Sequence, residues 1–409
     1  MKLTMMAGYF YPEQSADTHL NYDMALELSK RGFDVTVVVP FPSRGLTSEE
    51  QKKYLDKTDE RVSEHLRILR VGKPTAYTDS FARKAWNLFS ESRNLYRVAK
   101  KIPTDVYLVV STPPFLGYAV PKLARRAKVV YKLQDVFPDS LIHSKGLTES
   151  HPLIRILRRK ERNVYRFADR ILACSDDVKK TLLSRAVPEE KIRVVYDWID
   201  DKTCTPIPPE ENYLFDRFGI NRGVFNVYYA GNIGYLQNVE TMVAAAERLK
   251  NENIFFTIIG DGAKKQKILQ MIEEKQLHNI AVYPLQSVDK VSQVYSIGNV
   301  GIVTLKPEIA RYALPSKTWS ILSAGRMVIC EIDTDTELAS LIRERNLGVV
   351  VAPGDDRAMA EAILAASRAG EDTAEKGRNG RRFIENELNI DVAMNFIEDC
   401  ILECGGKKK

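Results

Sequence analysis

Apolar residues recur along the chain in short, nearly continuous runs. Between most of these runs lie stretches with apolar positions every three or four residues. The runs predict strands covered on both faces, and the intervening stretches predict amphipathic helices. Lys2–Ala7 reads as a strand, followed by the loop Tyr9–Ala16. Leu20, Met24 and Leu28 then mark one helix face, which stops at Arg31-Gly32. Val35–Val39, rich in β-branched residues, closes a strand–helix–strand unit. Ile68–Val71, Val106–Val110, Lys128–Lys132, Arg170–Cys174 and Ile192–Tyr196 continue the series. After the Pro-rich break Thr205-Pro206-Ile207-Pro208-Pro209 the pattern restarts with the strand Val224–Tyr229 and a helix over Val239–Leu249. Strands follow at Phe255–Ile259, Ala281–Tyr283, Val300–Thr304, Met327–Cys330 and Gly348–Val351. The expectation is an α/β chain with two doubly wound, Rossmann-like domains facing across a cleft. The expected division is 1–203 and 204–388, then a terminal helix over 389–404 packing back on the first domain, then a disordered tail over 405–409. Ligands of such sheets bind beyond the carboxyl ends of the strands, so the cleft is the expected site.

Composition narrows the class. With 409 residues, 44% apolar and 28% charged, the chain suits a soluble globular protein and not a membrane bundle. Its longest apolar stretches, such as Val35–Pro40, fall far short of the ~20 residues a spanning helix needs. The opening residues up to Gly8 are too few for a signal-peptide core. Cys174, Cys204, Cys330, Cys400 and Cys404 are scattered, as expected of free thiols in a reducing cytosol. The net charge of +6 is uneven: residues 1–200 carry 35 Lys and Arg against 25 Asp and Glu, and the remainder 25 against 29. The basic half is expected to meet an anionic partner.

Candidate chemistry gathers at strand ends. Gly231-Asn232-Ile233-Gly234 follows a strand and leads to a helix, an arrangement that lets backbone N–H groups approach a phosphate. Gly260-Asp261-Gly262 occupies the same kind of place after the next strand. Glycine also serves any tight turn, so the spacing alone leaves both readings open. Neither G-x-G-x-x-G nor a Walker A pattern is present, which argues against nicotinamide and P-loop enzymes. Pro315-Ser316-Lys317 precedes an apolar helix over Thr318–Ala324. Ser316 is expected to cap it, and a lysine in its first turn opposes the helix dipole unless an anion joins it. Lys306, just past Val300–Thr304, is a second cation for the same cleft. Asp135, just past Lys128–Lys132, is placed to orient a hydroxyl or act as a base, or simply to cap a turn. Five dispersed histidines give metal catalysis no support. Arg83–Lys101 and Pro152–Arg170 interleave basic residues with apolar and aromatic ones. They suit an anionic membrane surface, with Arg155, Arg158, Arg159 and Arg162 as the contacts, or equally a solvated helix face. No recognition motif for nucleic acid accompanies the charge.

Taken in order, these segments resemble family-4 glycosyltransferases of the GT-B fold, over nearly the whole chain. Tyr11-Pro12 with Ser15-Ala16, Ala25–Leu28 and Gly32–Val37 are similar to the family's opening strand–loop–helix–strand. Phe167–Ile171 with Ser175, Val187–Ile192 and Asp197–Asp200 resemble the run that closes its first domain. Gly231–Gly234, Ile259–Gly262 and Ala324–Val328 resemble the donor domain's signatures. The branch with G-N-x-G-x-x-Q and P-S-K looks closest, and it includes N-acetylfucosamine transferases of cell-surface polysaccharide assembly. The resemblance implies a retaining, metal-independent transfer of a hexosyl or N-acetylhexosaminyl group from a nucleotide-diphosphate sugar, a UDP-sugar foremost. No cofactor is implied, and the acceptor would be lipid-linked or a saccharide. It implies donor-binding roles for Gly231, Asn232, Gly234, Gln237, Asn238, Gly260, Asp261, Leu285, Gln286, Lys306, Ser316 and Lys317. Lys317 would be catalytic through the leaving diphosphate, Asp135 would position the acceptor, and Gln14, Ser15 and Ala16 would form a cleft loop near the diphosphate. The protein would be cytoplasmic, on the inner face of the plasma membrane, serving capsule, O-antigen or exopolysaccharide synthesis. There are departures. Many relatives carry E-x7-E before the last signature, where this chain has Tyr312 and Ser320. Many also carry an Arg and a Lys-Gly where it has Asn232 and Gln237-Asn238. A non-catalytic sugar-nucleotide-binding subunit, and an epimerase or hydrolase on the same architecture, stay open as alternatives.

Overall fold

The computed structural model describes residues 1–13, 17–72, 81–139, 141–142, 147–311 and 314–406. The chain divides into two compact units, Met1–Asp197 with Ala393–Lys409 and Trp198–Val392. The division falls six residues before the expected boundary.

The first unit is built on an eight-stranded sheet. Its strands are β1 (Lys2–Met6), β2 (Asp34–Pro40), β3 (Asp59–Ser63), β4 (Leu66–Val71), β5 (Val106–Val110), β6 (Lys128–Leu133), β7 (Arg170–Ala173) and β8 (Ile192–Val194). They lie in the order β3-β4-β2-β1-β5-β6-β7-β8. All neighbours pair in parallel except β3, which runs antiparallel to β4. The apolar-run signal had no purchase on β3. Asp-Glu-Arg-Val-Ser is polar and almost wholly exposed, and the strand exists by pairing along an edge, where Arg67 bonds Asp59 at 2.6 Å. Buried on both faces, β5 is apolar throughout, as a central parallel strand must be. The helix Thr18–Lys30 buries Leu20, Met24 and Leu28.

The second unit holds six parallel strands: β9 (Phe225–Asn232), β10 (Ile254–Asp261), β11 (Ile280–Tyr283), β12 (Val300–Thr304), β13 (Met327–Glu331) and β14 (Gly348–Val351). Their order is β11-β10-β9-β12-β13-β14. Renumbered within the unit this is 3-2-1-4-5-6, the Rossmann order, with its switch point between β9 and β12. The core packs Val227, Tyr229, Ile258 and Ile302 of the sheet against Met242 and Val243 of the helix Val239–Arg248.

The terminal helix, Ile390–Cys404, contributes its residues from Ala393 onward to the first unit. It buries Met394, Ile397 and Ile401, and Arg31 bonds Glu398 at 2.8 Å. All five cysteines are free and buried. Gly405 and Gly406 close the helix in a turn, and 407–409 of the expected tail lie outside the described residues.

Candidate functional site

In the second unit the site grows from the carboxyl ends of β9 and β10. The two strands stay paired through Gly231↔Gly260 and Asn232↔Asp261, beyond the point where the apolar runs stop. Glycine is obligatory in this turn. A Cβ on Gly260 would lie 2.5 Å from the Gly231 carbonyl oxygen. Gly262, at φ +149°, would place one 2.5 Å from Asn232 Oδ1. The Ile233 N–H donates to the Asp261 carbonyl at 2.7 Å, locking the turns together.

Lys317 lies against this turn. A Cβ on Gly231 would meet its Nζ at 3.3 Å. The ammonium donates to Tyr229 Oη at 2.7 Å and stands 3.9 Å from the centroid of the same ring. Tyr229 in turn donates to the Asn232 carbonyl at 2.6 Å. Lys317 opens the helix Lys317–Ser323, so its charge also opposes that dipole. Burial pushes its pKa down to about 7. No carboxylate pairs with it among the described residues. A buried ammonium beside a glycine turn, with no carboxylate to neutralise it, makes this turn the candidate site for an anion.

The other expected donor residues fall at varying remove. Gly234 is buried, and a Cβ there would lie 2.9 Å from Gln237 Oε1, a buried acceptor with no partner. Asn232 is exposed on the turn, and Asp261 Oδ1 accepts the Gly262 N–H at 2.7 Å. Lys306 ties its own N–H to the Leu236 carbonyl at 2.9 Å, which brings the loop after β12 to the loop after β9. Ser316 does not cap as expected: it takes the N-cap position, yet its side chain makes no capping bond. Asn238 bonds into the fold through its amide. Its amide donates to Glu331 at 2.6 Å and to Thr241 at 2.7 Å, so it faces into the fold as a brace. Leu285 and Gln286 follow β11, two strands from β9, where Leu285 is exposed and Gln286 accepts from Arg217 at 3.0 Å. Of the positions relatives fill with glutamate, Tyr312 lies outside the described residues and Ser320 sits within the helix Lys317–Ser323.

In the first unit the candidate residues sit beyond β1, β5 and β6, around the switch point between β1 and β5. The Gly8 N–H donates to the Thr112 carbonyl at 3.2 Å, so the loops after β1 and β5 touch. Asp135 follows β6. Burial pushes its carboxyl up to about 7, with smaller contributions from the charges of Asp17 and Asp197. Burial also raises Asp17. Asp197 accepts from Lys132 Nζ at 2.8 Å and from Gln134 Nε2 at 3.0 Å. The sequence reading did not find Tyr229, Lys132, Asp197 or Asp17 as site residues. Lys132 left one signal, a charge set among the apolar residues that end β6. Tyr229 left none, since an aromatic suits any strand. Gln14, Ser15 and Ala16 lie outside the described residues.

The basic helix Pro152–Phe167 exposes Arg155, Arg159 and Arg162. Arg158 departs from that set. It turns inward, bonding Asp139 at 2.7 Å and Glu161 at 3.2 Å, with Arg185 joining the same two carboxylates. Nearby, Trp86 and Phe89 on the helix Phe81–Ala99, and Leu153 and Ile156, are exposed.

Residues 19–203 match the model of the Glycosyltransferase Family 4 domain, and residues 225–368 match that of Glycosyl transferases group 1. The chain is 25% identical over 260 residues to the glycosyltransferase WbjE of Pseudomonas aeruginosa, a match covering 64% of each chain. It is 24% identical over 278 residues to the colanic acid biosynthesis glycosyl transferase WcaI of Escherichia coli (strain K12), covering 67% of each. The chain thus spans about two thirds of the length of these relatives. Among solved structures, sucrose-phosphate synthase from Thermosynechococcus elongatus superposes with a TM-score of 0.77 at 14% identity, covering 98% of both chains. Anabaena HepE in complex with UDP and glucose gives 0.72 at 15% identity, covering 98% of this chain and all of that one. These two likenesses bear on the fold.

Proposed function

The chain belongs to the family-4 glycosyltransferases of the GT-B fold, and from that premise we propose that it is a retaining transferase that moves a sugar from a UDP-sugar to a lipid-linked or saccharide acceptor in cell-surface polysaccharide synthesis. The observation that carries the reading is Lys317, an ammonium without a carboxylate partner on the glycine turn at the switch point of a 3-2-1-4-5-6 sheet. When the glycosidic bond of a nucleotide sugar breaks, negative charge develops on the departing diphosphate. A fixed cation beside backbone donors stabilises that charge without reorganising. Lys317 takes this role, with Lys306 as a second cation and the turn Gly231–Gly234 supplying backbone contact. UDP as the nucleotude carrier is favoured by the UDP complex of HepE, and polysaccharide assembly by the name of WcaI.

On the acceptor side, Asp135 orients the attacking hydroxyl or takes its proton. Retention leaves a further route, in which the departing phosphate accepts the proton and Asp135 only positions. The test is turnover. Purified protein is screened by thermal shift against UDP-, GDP- and ADP-sugars, and the stabilising donor is assayed for transfer to membrane-extracted acceptors. Lys317→Ala should lower transfer by ~10²-fold or more, the scale of losing one charge stabiliser. Donor binding without turnover would support the non-catalytic subunit, to which Tyr312 and Ser320 at the glutamate positions also point. Turnover without an acceptor would support the epimerase or hydrolase. An undiminished rate in folded Lys317→Ala would end the role assigned to Lys317.

A further inference from the structure

Three contacts single out a residue that no signature marks. Tyr229 is completely buried two residues before the glycine turn. Its hydroxyl accepts from Lys317 Nζ at 2.7 Å and donates to the Asn232 carbonyl at 2.6 Å, and its ring face lies 3.9 Å from the same ammonium. One side chain therefore ties the cation to the turn through an oxygen, a π face and a backbone carbonyl. We propose that Tyr229 is the positioning residue of the diphosphate site, holding the Lys317 ammonium over Gly231 so that a nucleoside diphosphate meets a charge already in place. The inference rests on the donor reading above and adds the residue through which Lys317 works.

The chemistry favours a tyrosine here. A buried ammonium needs acceptors. A carboxylate would supply one, but it would also neutralise the charge and repel the diphosphate. A phenol supplies a neutral acceptor, and the ring adds attraction for the cation at no cost in net charge. Burial, and then the neighbouring Tyr295, raise the Tyr229 phenol above its ordinary value, so it stays neutral wherever Lys317 titrates. The hydroxyl has one proton and gives it to Asn232, which leaves its lone pairs facing the ammonium. Gly231 completes the arrangement. Its φ is +130°, and the 3.3 Å between a would-be Cβ and Nζ means that any larger residue crowds the cation.

The charge itself is marginal without ligand, because burial brings the Lys317 pKa down to about 7. Among the described residues the titratable group facing it is Tyr229, which carries no charge. An arriving diphosphate restores the proton. Above pH 7 the affinity for the donor should therefore fall up to tenfold per pH unit, until the pKa of the liganded state is reached. Removing the Tyr229 hydroxyl removes an acceptor that favours the charged form, so the fall should begin at lower pH.

The experiment measures UDP affinity by calorimetry between pH 7 and 8.5 in the parent, Tyr229→Phe, Lys317→Met and the double variant, with melting temperatures as the check on folding. Tyr229→Phe should weaken UDP binding by about tenfold at pH 8 and by less at pH 7. In the Lys317→Met background it should change nothing further, because the cation it serves is gone. A loss that adds fully to that of Lys317→Met, or one equal at every pH, would overturn the proposal and leave Tyr229 a packing residue. If Tyr229→Phe melts too low to assay, 3-fluorotyrosine at position 229 provides the second reading, because it keeps the shape and the hydroxyl but weakens the oxygen as an acceptor and the ring as a partner for the cation. It should weaken UDP binding in the parent but not in Lys317→Met. Should UDP bind none of these proteins, the parent included, it is the donor reading that fails. Should it bind the parent and Tyr229→Phe alike, only the present proposal does.

Discussion

At the scale of single residues, two groups with displaced pKa values stand at strand ends, and their displacements have different origins. Lys317 is lowered by burial alone, whereas Asp135 is raised by burial and then by two neighbouring carboxylates. Perturbed groups at a topological switch point are candidates for chemistry. Asp135 makes a prediction with a definite sign. Its carboxyl gains its charge only as pH rises through about 7. If the ionised form orients or deprotonates the acceptor, transfer at saturating donor should climb with pH up to that region and level off above it, falling about tenfold per unit below. Asp135→Asn should leave a low rate without this limb, and UDP affinity should be unchanged. A parallel loss of UDP affinity would move Asp135 to the donor side. An unaltered profile would remove it from the mechanism.

At the scale of elements, the ends of the second sheet are held by a residue one position past the apolar strand that the sequence marks at Met327–Cys330. Glu331 closes β13 and is fully buried. It accepts from Asn238 at 2.6 Å and Thr241 at 2.9 Å, and also from Thr304 and the Gly354 N–H. One carboxylate thereby joins β12, β13, the loop after β14 and the start of the helix Val239–Arg248, the elements that frame the glycine turn. Glu331→Ala would leave those donors without their acceptor. It should cost at least about 2 kcal/mol, read as a lower urea midpoint at an unchanged slope. Glu331→Gln, which keeps an acceptor, should cost less. A midpoint that does not move would mean water serves these donors equally well. The same residue shows where sequence reading stops. Strands, helices and their order were legible because burial on both faces forces apolar runs and one-sided burial forces a three-to-four spacing. The Gly231 and Gly262 turns were legible because their backbone excludes a Cβ. Asn238 was assigned to the donor on resemblance, and its bond to Glu331, 93 positions away, was out of sight; Arg158 was assigned to the surface because Asp139 and Arg185 lie in other segments. Spacing along a chain carries no record of such pairings. The edge strand β3 escaped for the complementary reason: exposed on nearly every residue, it imposes no pattern.

At the scale of the whole molecule, charge is distributed by half, with the excess of Lys and Arg confined to residues 1–200. The helices Phe81–Ala99 and Pro152–Phe167 each run between parallel strands of the first sheet, so both begin at the carboxyl ends of those strands, the end where Asp135 lies. Their N-terminal halves expose Trp86 and Phe89 on one and Leu153 and Ile156 on the other. Arg155, Arg159 and Arg162 lie among and just beyond these apolar residues, all exposed. Exposed apolar side chains interleaved with cations suit an anionic bilayer surface, where apolar side chains enter the interface and cations remain at headgroup level. Among the described residues no helix is long and apolar enough to cross a membrane, so attachment by these helices would be reversible. Each engaged cation contributes about 1 kcal/mol, screened by salt. The protein should therefore sediment with phosphatidylglycerol-containing vesicles at low salt and leave them as salt rises. Replacing Arg155, Arg159 and Arg162 together with Ser should weaken binding by about 3 kcal/mol, on the order of a hundredfold. Arg158→Ser is the informative contrast. It breaks the network with Asp139 and Glu161, so it should lower the melting temperature and leave vesicle binding almost untouched in the protein that remains folded. Trp86→Ser should weaken binding in a way that salt does not restore, since its contribution is apolar. If the parent protein ignores anionic vesicles at low salt, the two helices present only solvated faces, and the membrane reading of the basic half fails.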